Sequence, residues 1–358
     1  MHRFLSGMLC VASAFIVLSS FIPSGEVRDL SHLRPFICPA PLKDGDTVAL
    51  FCPAGAMRDR KAVNRAEDTL RSWGFNTVRS EYIHESYHGF AGTTEERREE
   101  VLRLLRDPSV KCLFAVRGGF GSMKEMEGIP LDTIRKYPKW LVGFSDVTAM
   151  HSAWFAAGVL SIHGPMAEQI AVKEEDYESA LMLRDMLKGA MTDYTKPTSE
   201  QSYPYNHTGH AEGRLVGGNL ATIMPYLLTP VDLFSQGEDI ILFIEEVGGA
   251  IRHIERDIIF LKNQGLLNRV KGIVCGHFTD CNADYYDSVE EMLEEYFAPL
   301  HVPVAYRLPI GHELPNIPVL HGASAILDVQ DTCVTLRYVP LTVDDRGQCI
   351  SDVKLKLE

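Results

Sequence analysis

Thr47-Val48-Ala49-Leu50-Phe51-Cys52 is an uncharged apolar run that ends in Pro53-Ala54-Gly55. A short run of this kind, stopped by Pro and Gly, reads as a strand covered on both faces. A helical stretch from Lys61 to Trp73 follows, closes at Gly74, and gives way to a second strand at Asn76 to Arg79. Strand, crossover helix and strand in this spacing mark a parallel sheet. The alternation continues: Thr93-Thr94-Glu95-Glu96 spells a capping box with Thr93 as N-cap, opening a helix that runs to about Arg106 before Asp107-Pro108. Strands are expected at Cys112 to Val116 and Trp140 to Gly143, and a helix from Val147 to Ala157.

Beyond this block the composition changes. A charged helix (Glu174 to Lys188) and the polar, Pro-containing stretch Thr195 to His210 are read as a linker over 171–211. A second α/β region opens with Gly213-Arg214-Leu215-Val216-Gly217-Gly218-Asn219-Leu220, a strand turning into a helix. Asp239 to Val247 is a strongly apolar strand ending in carboxylates, followed by a helix from Ala250 to Asn263 that closes at Gly265 and a strand from Val270 to Cys275. Ile326 to Val329 and Cys333 to Val339 look like antiparallel strands. The expected fold class is α/β: an N-terminal parallel-sheet domain of Rossmann or flavodoxin type over 40–170, then a C-terminal α/β domain with antiparallel strands over 212–350.

The chain has 358 residues, and Lys+Arg 35 against Asp+Glu 48 leaves a net charge of −13. An acidic balance of this size argues against a nucleic-acid partner, whose footprint is basic. With 46% hydrophobic residues the chain can bury a core. Residues 1–25 differ from the rest: Met1-His2-Arg3 leads into an apolar run from Phe4 to Ile22 and then Pro23-Ser24-Gly25. That is the pattern of an export signal, with periplasmic delivery expected and an uncleaved membrane anchor as the alternative. Cys10, preceded by Leu9, makes a poor lipoprotein site. Seven further cysteines are an odd number without C-x-x-C spacing; Cys52, Cys112 and Cys275 lie in apolar strand-like runs and read as buried thiols, with neither a disulfide framework nor a zinc site indicated.

Gly143-Phe144-Ser145-Asp146 stands between a buried strand and a helix. A serine on such a turn is exposed at the sheet edge, where helix N-terminal amides can hold an oxyanion. A plain N-cap is the alternative. Glu245 and Glu246 end the apolar strand, at the edge where parallel sheets place their ligands, unless they merely pair with Arg252 or Arg256. His312 follows Pro309-Ile310-Gly311 in a loop with no amphipathic pattern to account for it, and is either a base or a solvated histidine. His84-Glu85-Ser86-Tyr87-His88 has the zinc-protease spelling, but that motif needs long helical flanks, and Gly89-Phe90-Ala91-Gly92 interrupts at once. Gly118-Gly119-Phe120-Gly121 lacks the G-x-G-x-x-G spacing and a Walker lysine, so a backbone oxyanion donor suits it better than a nucleotide loop.

Together these stretches resemble one family, the LD-carboxypeptidases or muramoyltetrapeptide carboxypeptidases, serine peptidases that also include the microcin C immunity peptidase. The resemblance runs from about Leu42 to Leu327. It rests on Asp44-Gly45-Asp46-Thr47-Val48-Ala49, Phe90-Ala91-Gly92-Thr93 with Glu96-Arg97, and Ala115-Val116-Arg117-Gly118-Gly119-Phe120-Gly121. Gly143-Phe144-Ser145-Asp146, His163-Gly164-Pro165-Met166, Gly217-Gly218-Asn219-Leu220, Leu242-Phe243-Ile244-Glu245-Glu246 and Pro309-Ile310-Gly311-His312 continue it. The resemblance implies a triad of Ser145, His312 and Glu245, oxyanion amides at Asp146 and Gly119, no metal or cofactor, a cleft between two domains, and a homodimer. It also implies release of terminal D-alanine from the L,D-bond of murein tetrapeptides. A nucleotide-conjugate peptidase, or an inactive murein-peptide binder, are the alternatives. Aromatic rings beside the cleft would favour the nucleotide reading, with Tyr203 and Tyr205 as candidates. Phe120 stands where the family usually has Tyr, and Glu246 where it often has Asp. Arg117 and Arg256 are candidate partners for the substrate carboxylate, since a guanidinium holds a carboxylate bidentately.

Overall fold

The computed structural model describes residues 35–171, 177–191, 193–197, 203–236, 239–282, 285–343 and 349–351. The signal expected over 1–25 lies outside them. In chain order the first elements are β1 (Phe36–Cys38), β2 (Thr47–Phe51), α1 (Arg60–Ser72), β3 (Asn76–Arg79), α2 (Thr94–Arg106) and β4 (Val110–Ala115). Next come α3 (Ser122–Met126), α4 (Leu131–Lys136), β5 (Trp140–Gly143), α5 (Thr148–Ala156), β6 (Ser161–His163) and α6 (Ala167–Ile170). The second half holds α7 (Tyr177–Leu187), β7 (Tyr194–Pro197), β8 (Gly209–Asn219), α8 (Leu220–Ile223), β9 (Ile240–Val247), α9 (Ile251–Asn263) and β10 (Val270–Thr279). It ends with α10 (Val289–Phe297), β11 (Val304–Ala305), β12 (Val319–His321), β13 (Ser324–Val329), β14 (Cys333–Tyr338), β15 (Thr342–Val343) and β16 (Cys349–Ser351).

Two large sheets carry the molecule, and a small third sheet joins β1, β16 and β15. In the first large sheet the order is β12-β6-β5-β4-β2-β3, with β2 to β6 mutually parallel. The winding direction reverses between β2 and β4, and open α/β sheets place ligands at that switch, beyond the carboxyl ends of the strands. The loops leaving these two strands meet there, Gly55 N–H donating to Gly118 O at 3.3 Å. The second sheet runs β11-β10-β9-β8-β13-β14-β7, parallel from β11 to β8 and antiparallel beyond. β12 is exchanged between the halves: it belongs by sequence to the second, yet pairs antiparallel with β6 of the first.

Local sequence accounts for most of these elements. In β4 every residue but Lys111 is buried, as a strand covered by helices on both faces requires. α1 turns Ala62, Val63, Ala66 and Leu70 inward, an apolar stripe at helical spacing. The capping box forms as read, Glu96 N–H donating to Thr93 Oγ1 and Thr93 N–H to Glu96 Oε2. Two readings change. In the segment read as a linker over 171–211 the expected charged helix is present as α7, but its described residues also hold edge strand β7, which pairs with β14 through Thr195↔Thr335. Its alternating Thr195-Lys196 pattern is that of an edge strand, polar because one side faces water. The helix expected from Val147 is preceded by a 3-10 turn, Ser145–Val147, that brings the serine onto the helix end.

Under the glycine-rich loop lies a buried ion pair. Arg97 of α2 donates from Nε to Glu125 Oε2 at 3.1 Å and to Pro53 O at 3.1 Å, and from Nη1 to Gly92 O at 2.7 Å. Both side chains are almost wholly buried, and burial pushes the Glu125 carboxyl well above its usual range against the pull of Arg97. One guanidinium thus ties together α2, α3 and the loop that leaves β2.

Candidate active site

Ser145 follows the end of β5 with φ 62°, in the left-handed region that non-glycine residues seldom occupy. A strained strand-to-helix turn lifts the hydroxyl off the sheet edge. The close approach of the neighbouring loop needs a glycine: a Cβ on Gly118 would lie 3.1 Å from Ser145 Cβ and 3.2 Å from its Oγ. Asp146 locks the two segments together, its Oδ2 accepting from Ser122 N–H at 2.9 Å and Ser122 Oγ at 2.7 Å. The backbone amide of Asp146 belongs to the first turn, where helical N–H groups lack an intrahelical acceptor.

The second sheet supplies the partners. Glu245 sits at the carboxyl end of β9, fully buried and in register with Asn219 of β8. His312 lies in the loop after β11, and its Nδ1 is 2.7 Å from Glu245 Oε2 while its Nε2 is 3.0 Å from Ser145 Oγ. Because a carboxylate can only accept, Nδ1 carries the proton and Nε2 is left to accept from the serine hydroxyl. Burial pushes the Glu245 carboxyl above its ordinary value, and the hydrogen bond from His312 opposes the shift. The loop is pinned on both sides of the imidazole. His277 N–H donates to Ile310 O at 2.9 Å, Gly311 N–H to Asn316 Oδ1 at 3.0 Å, and Asn316 Nδ2 to Gln169 Oε1 at 3.1 Å. Gly311 is required beside the carboxylate, since a Cβ there would stand 2.9 Å from Glu245 Oε2.

Ser145, Glu245 and His312 are therefore joined by hydrogen bonds across the two sheets. Glu246 does not pair with Arg252 or Arg256: it accepts from Asn219 Nδ2 at 3.1 Å, Ala221 N–H at 2.8 Å and Val247 N–H at 2.9 Å, fastening β9 to the start of α8. Gly119 lies exposed one residue beyond the glycine that touches the serine, with φ 121°. Arg117 reaches Ala56 O at 3.4 Å, and Arg256 is exposed on α9 without a hydrogen bond or ion pair to the three residues. Phe120 is exposed at the loop tip. His84-Glu85-Ser86-Tyr87-His88 forms turns and no helix; His88 has φ 51°, and His84 Nδ1 faces Met57 O at 3.0 Å, so the two imidazoles do not share a helical face. Tyr203 and Tyr205 pack on one another with ring centres 5.8 Å apart and on Tyr306 at 6.2 and 6.1 Å. Cys52, Cys112 and Cys275 are buried thiols as read, and burial pushes Cys52 up to about 12.

Sequence reading missed a group of histidines behind the serine turn. His151, His163 and His321 are fully buried, from α5, β6 and β12. His151 bonds Ser161 Oγ and Gly143 O, each at 2.8 Å, bracing the carbonyl that precedes the turn, and burial lowers it to about 4. His321 stacks on His151 with centres 5.5 Å apart and is held well below its ordinary value, first by burial. A histidine neutral in the fold but free to protonate when unfolded stabilises fully above about pH 6.5 and loses that contribution as pH falls. Relative to the parent, His321→Phe is expected to gain ~1.4 kcal/mol of stability per pH unit below about 6.5. Urea denaturation across that window checks this, and parallel stability curves would contradict it.

Comparison with known proteins bears on this geometry. Residues 48–164 match the model of the LD-carboxypeptidase N-terminal domain, and residues 212–327 that of the LD-carboxypeptidase C-terminal domain. A relative from Synechocystis sp. that carries a carboxypeptidase name is 33% identical over 298 residues, covering 82% of this chain and 95% of that protein. The crystal structure of muramoyltetrapeptide carboxypeptidase from Oxalobacter formigenes superposes with a TM-score of 0.72 at 26% identity, covering 82% of this chain and 99% of that one. The microcin C7 self-immunity protein MccF of Escherichia coli is 25% identical over 335 residues, covering 83% of this chain and 94% of that protein.

Proposed function

The chain belongs to the LD-carboxypeptidase family, and from that premise we propose that it hydrolyses the L,D-peptide bond of murein tetrapeptides through Ser145, releasing D-alanine. The observation that carries the proposal is the unbroken chain from buried Glu245 through His312 to Ser145 Oγ. In this reading Oγ attacks the carbonyl before D-alanine as His312 Nε2 takes its proton. Glu245 stabilises the imidazolium that forms, and does not itself take the proton. The amides of Asp146 and Gly119 face the oxyanion. His312 then returns the proton to the amine of the departing D-alanine, and water repeats the sequence on the acyl-serine. No cofactor is required by these steps. Arg117 and Arg256 are the proposed guanidinium partners of the free carboxylate, Arg117 being adjacent to the glycine against the serine. Export through the 1–25 segment is part of the same proposal, since murein lies outside the cytosol.

The substrate is tested by a panel. A murein tetrapeptide, a pentapeptide ending in D-alanyl-D-alanine and an aminoacyl-nucleotide conjugate are compared, with product release followed by mass spectrometry. The tetrapeptide is expected to exceed the other two in kcat/KM by about a hundredfold, within the range pocket contacts supply. Cleavage of the conjugate without cleavage of the tetrapeptide would overturn the murein reading in favour of the immunity type.

A further inference from the structure

His163 ends β6, in register with Gly143 of β5 on one side and Val319 of β12 on the other. Strand pairing therefore places its ring directly behind the serine turn. The ring is fully buried between Phe144, at 6.0 Å, and Phe243, at 5.1 Å, and neither of its nitrogens has a hydrogen-bond partner among the described residues. Nε2 lies 3.9 Å from Glu245 Oε1, the carboxylate oxygen that His312 does not engage. That oxygen is also buried without a hydrogen-bond partner among the described residues. Leaving two polar atoms unpaired in an apolar interior costs about 1–3 kcal/mol each, and a leucine would fill the same space without that cost.

We propose that His163 is a positioning residue that presents its Nε2–H to Glu245 Oε1, holding the carboxylate in orientation and charge so that Oε2 stays on His312. The inference rests on the serine mechanism above. Its chemistry depends on His163 remaining neutral. Burial, then the nearby His151 and His312, hold it well below the ordinary histidine value. A cationic His163 would compete with His312 for the charge of Glu245, whereas a neutral N–H donor supports the carboxylate and leaves the ion pair that forms during catalysis intact. The same ring, edge to Phe144, lies behind the residue whose other contact is His312 itself, 4.8 Å away.

The test compares His163→Leu, which removes the donor, with His163→Gln, whose side-chain amide can restore it. In His163→Leu, kcat is expected to fall about tenfold, the scale of one polar contact that tightens on the carboxylate as the imidazolium forms, with KM within about twofold. Thermal stability should stay close to that of the parent, because the unpaired Nδ1 leaves the interior while Glu245 Oε1 loses the N–H that faces it. His163→Gln should recover most of kcat. The Nδ1 proton of His312, observed by NMR in the substrate-free protein, should move upfield in His163→Leu and return in His163→Gln, a readout that needs no turnover. An unchanged kcat or proton resonance in His163→Leu would overturn the proposal, as would a loss that tracks lowered stability and is not rescued by glutamine. A parent protein inactive on tetrapeptide would sink the murein reading alone, leaving the NMR comparison to decide the role of His163.

Discussion

Ser145→Ala is expected to lower kcat for D-alanine release by about 10⁴–10⁶-fold, the loss seen when one member of a cooperating nucleophile–base unit is removed. The hydroxyl is the bond-forming group, and His312 and Glu245 act only through it. The residual rate should come from the backbone amides and from substrate binding, which survive the substitution. Stability should stay within about 0.5 kcal/mol of the parent, because the side chain is small and half-exposed and alanine keeps the same strained backbone. Ser145→Gly should be more stable than Ser145→Ala, since φ 62° carries no penalty for glycine. Single-turnover release and thermal denaturation of the three proteins measure both effects.

Arg97→Ala is expected to destabilise the protein by about 3–5 kcal/mol, because it leaves a buried carboxylate without its partner. Arg97 is 3% exposed and Glu125 0%, so water cannot take over the lost contacts. Pro53 O and Gly92 O lose their donor as well. The loss should depend on pH with a definite sign. Without the downward pull of Arg97 the Glu125 carboxyl rises further than in the parent, and a carboxyl raised by burial loses its stabilising contribution as pH climbs, so the deficit should be larger at pH 8 than at pH 5. The double substitution Arg97→Met with Glu125→Gln should cost less than Arg97→Ala alone, as no uncompensated charge remains. Equilibrium unfolding in urea decides it, and a loss under about 1 kcal/mol would mean that the pair does not hold this corner.

The elements that sequence reading placed well are those whose signal is local. The apolar runs of β2, β5 and β9 are bounded by Pro, Gly or acidic residues, and the box Thr93 to Glu96 fixes the start of α2. The three residues joined in the site stood out locally only as candidates, two near the ends of parallel strands and one in a loop without amphipathic pattern, and it was the family resemblance that linked them as a triad. What could not be read depends on partners distant in the chain. β12 is three residues without periodicity, and only its pairing with β6 makes it a strand of the first sheet. Sequence left open whether Glu245 and Glu246 belong to the site or pair with the arginines of α9, while strand register gives Glu246 to Asn219 and the start of α8. Asn316 and His163 did not stand out as site residues, since the contacts of Asn316 with Gln169 and of His163 with Glu245 join residues far apart in the chain. The His84 to His88 spelling shows the reverse hazard, a motif whose letters are present without the helix that gives them meaning.

The central claim is that His312 and Glu245 make Ser145 Oγ a nucleophile. Its most direct test is covalent labelling with a fluorophosphonate, followed by intact mass and peptide mapping. The account predicts one adduct per chain, located on Ser145, insensitive to chelator and lost or greatly slowed in His312→Ala. An adduct on a different residue, or no adduct on Ser145 in protein that releases D-alanine from tetrapeptide, would contradict it.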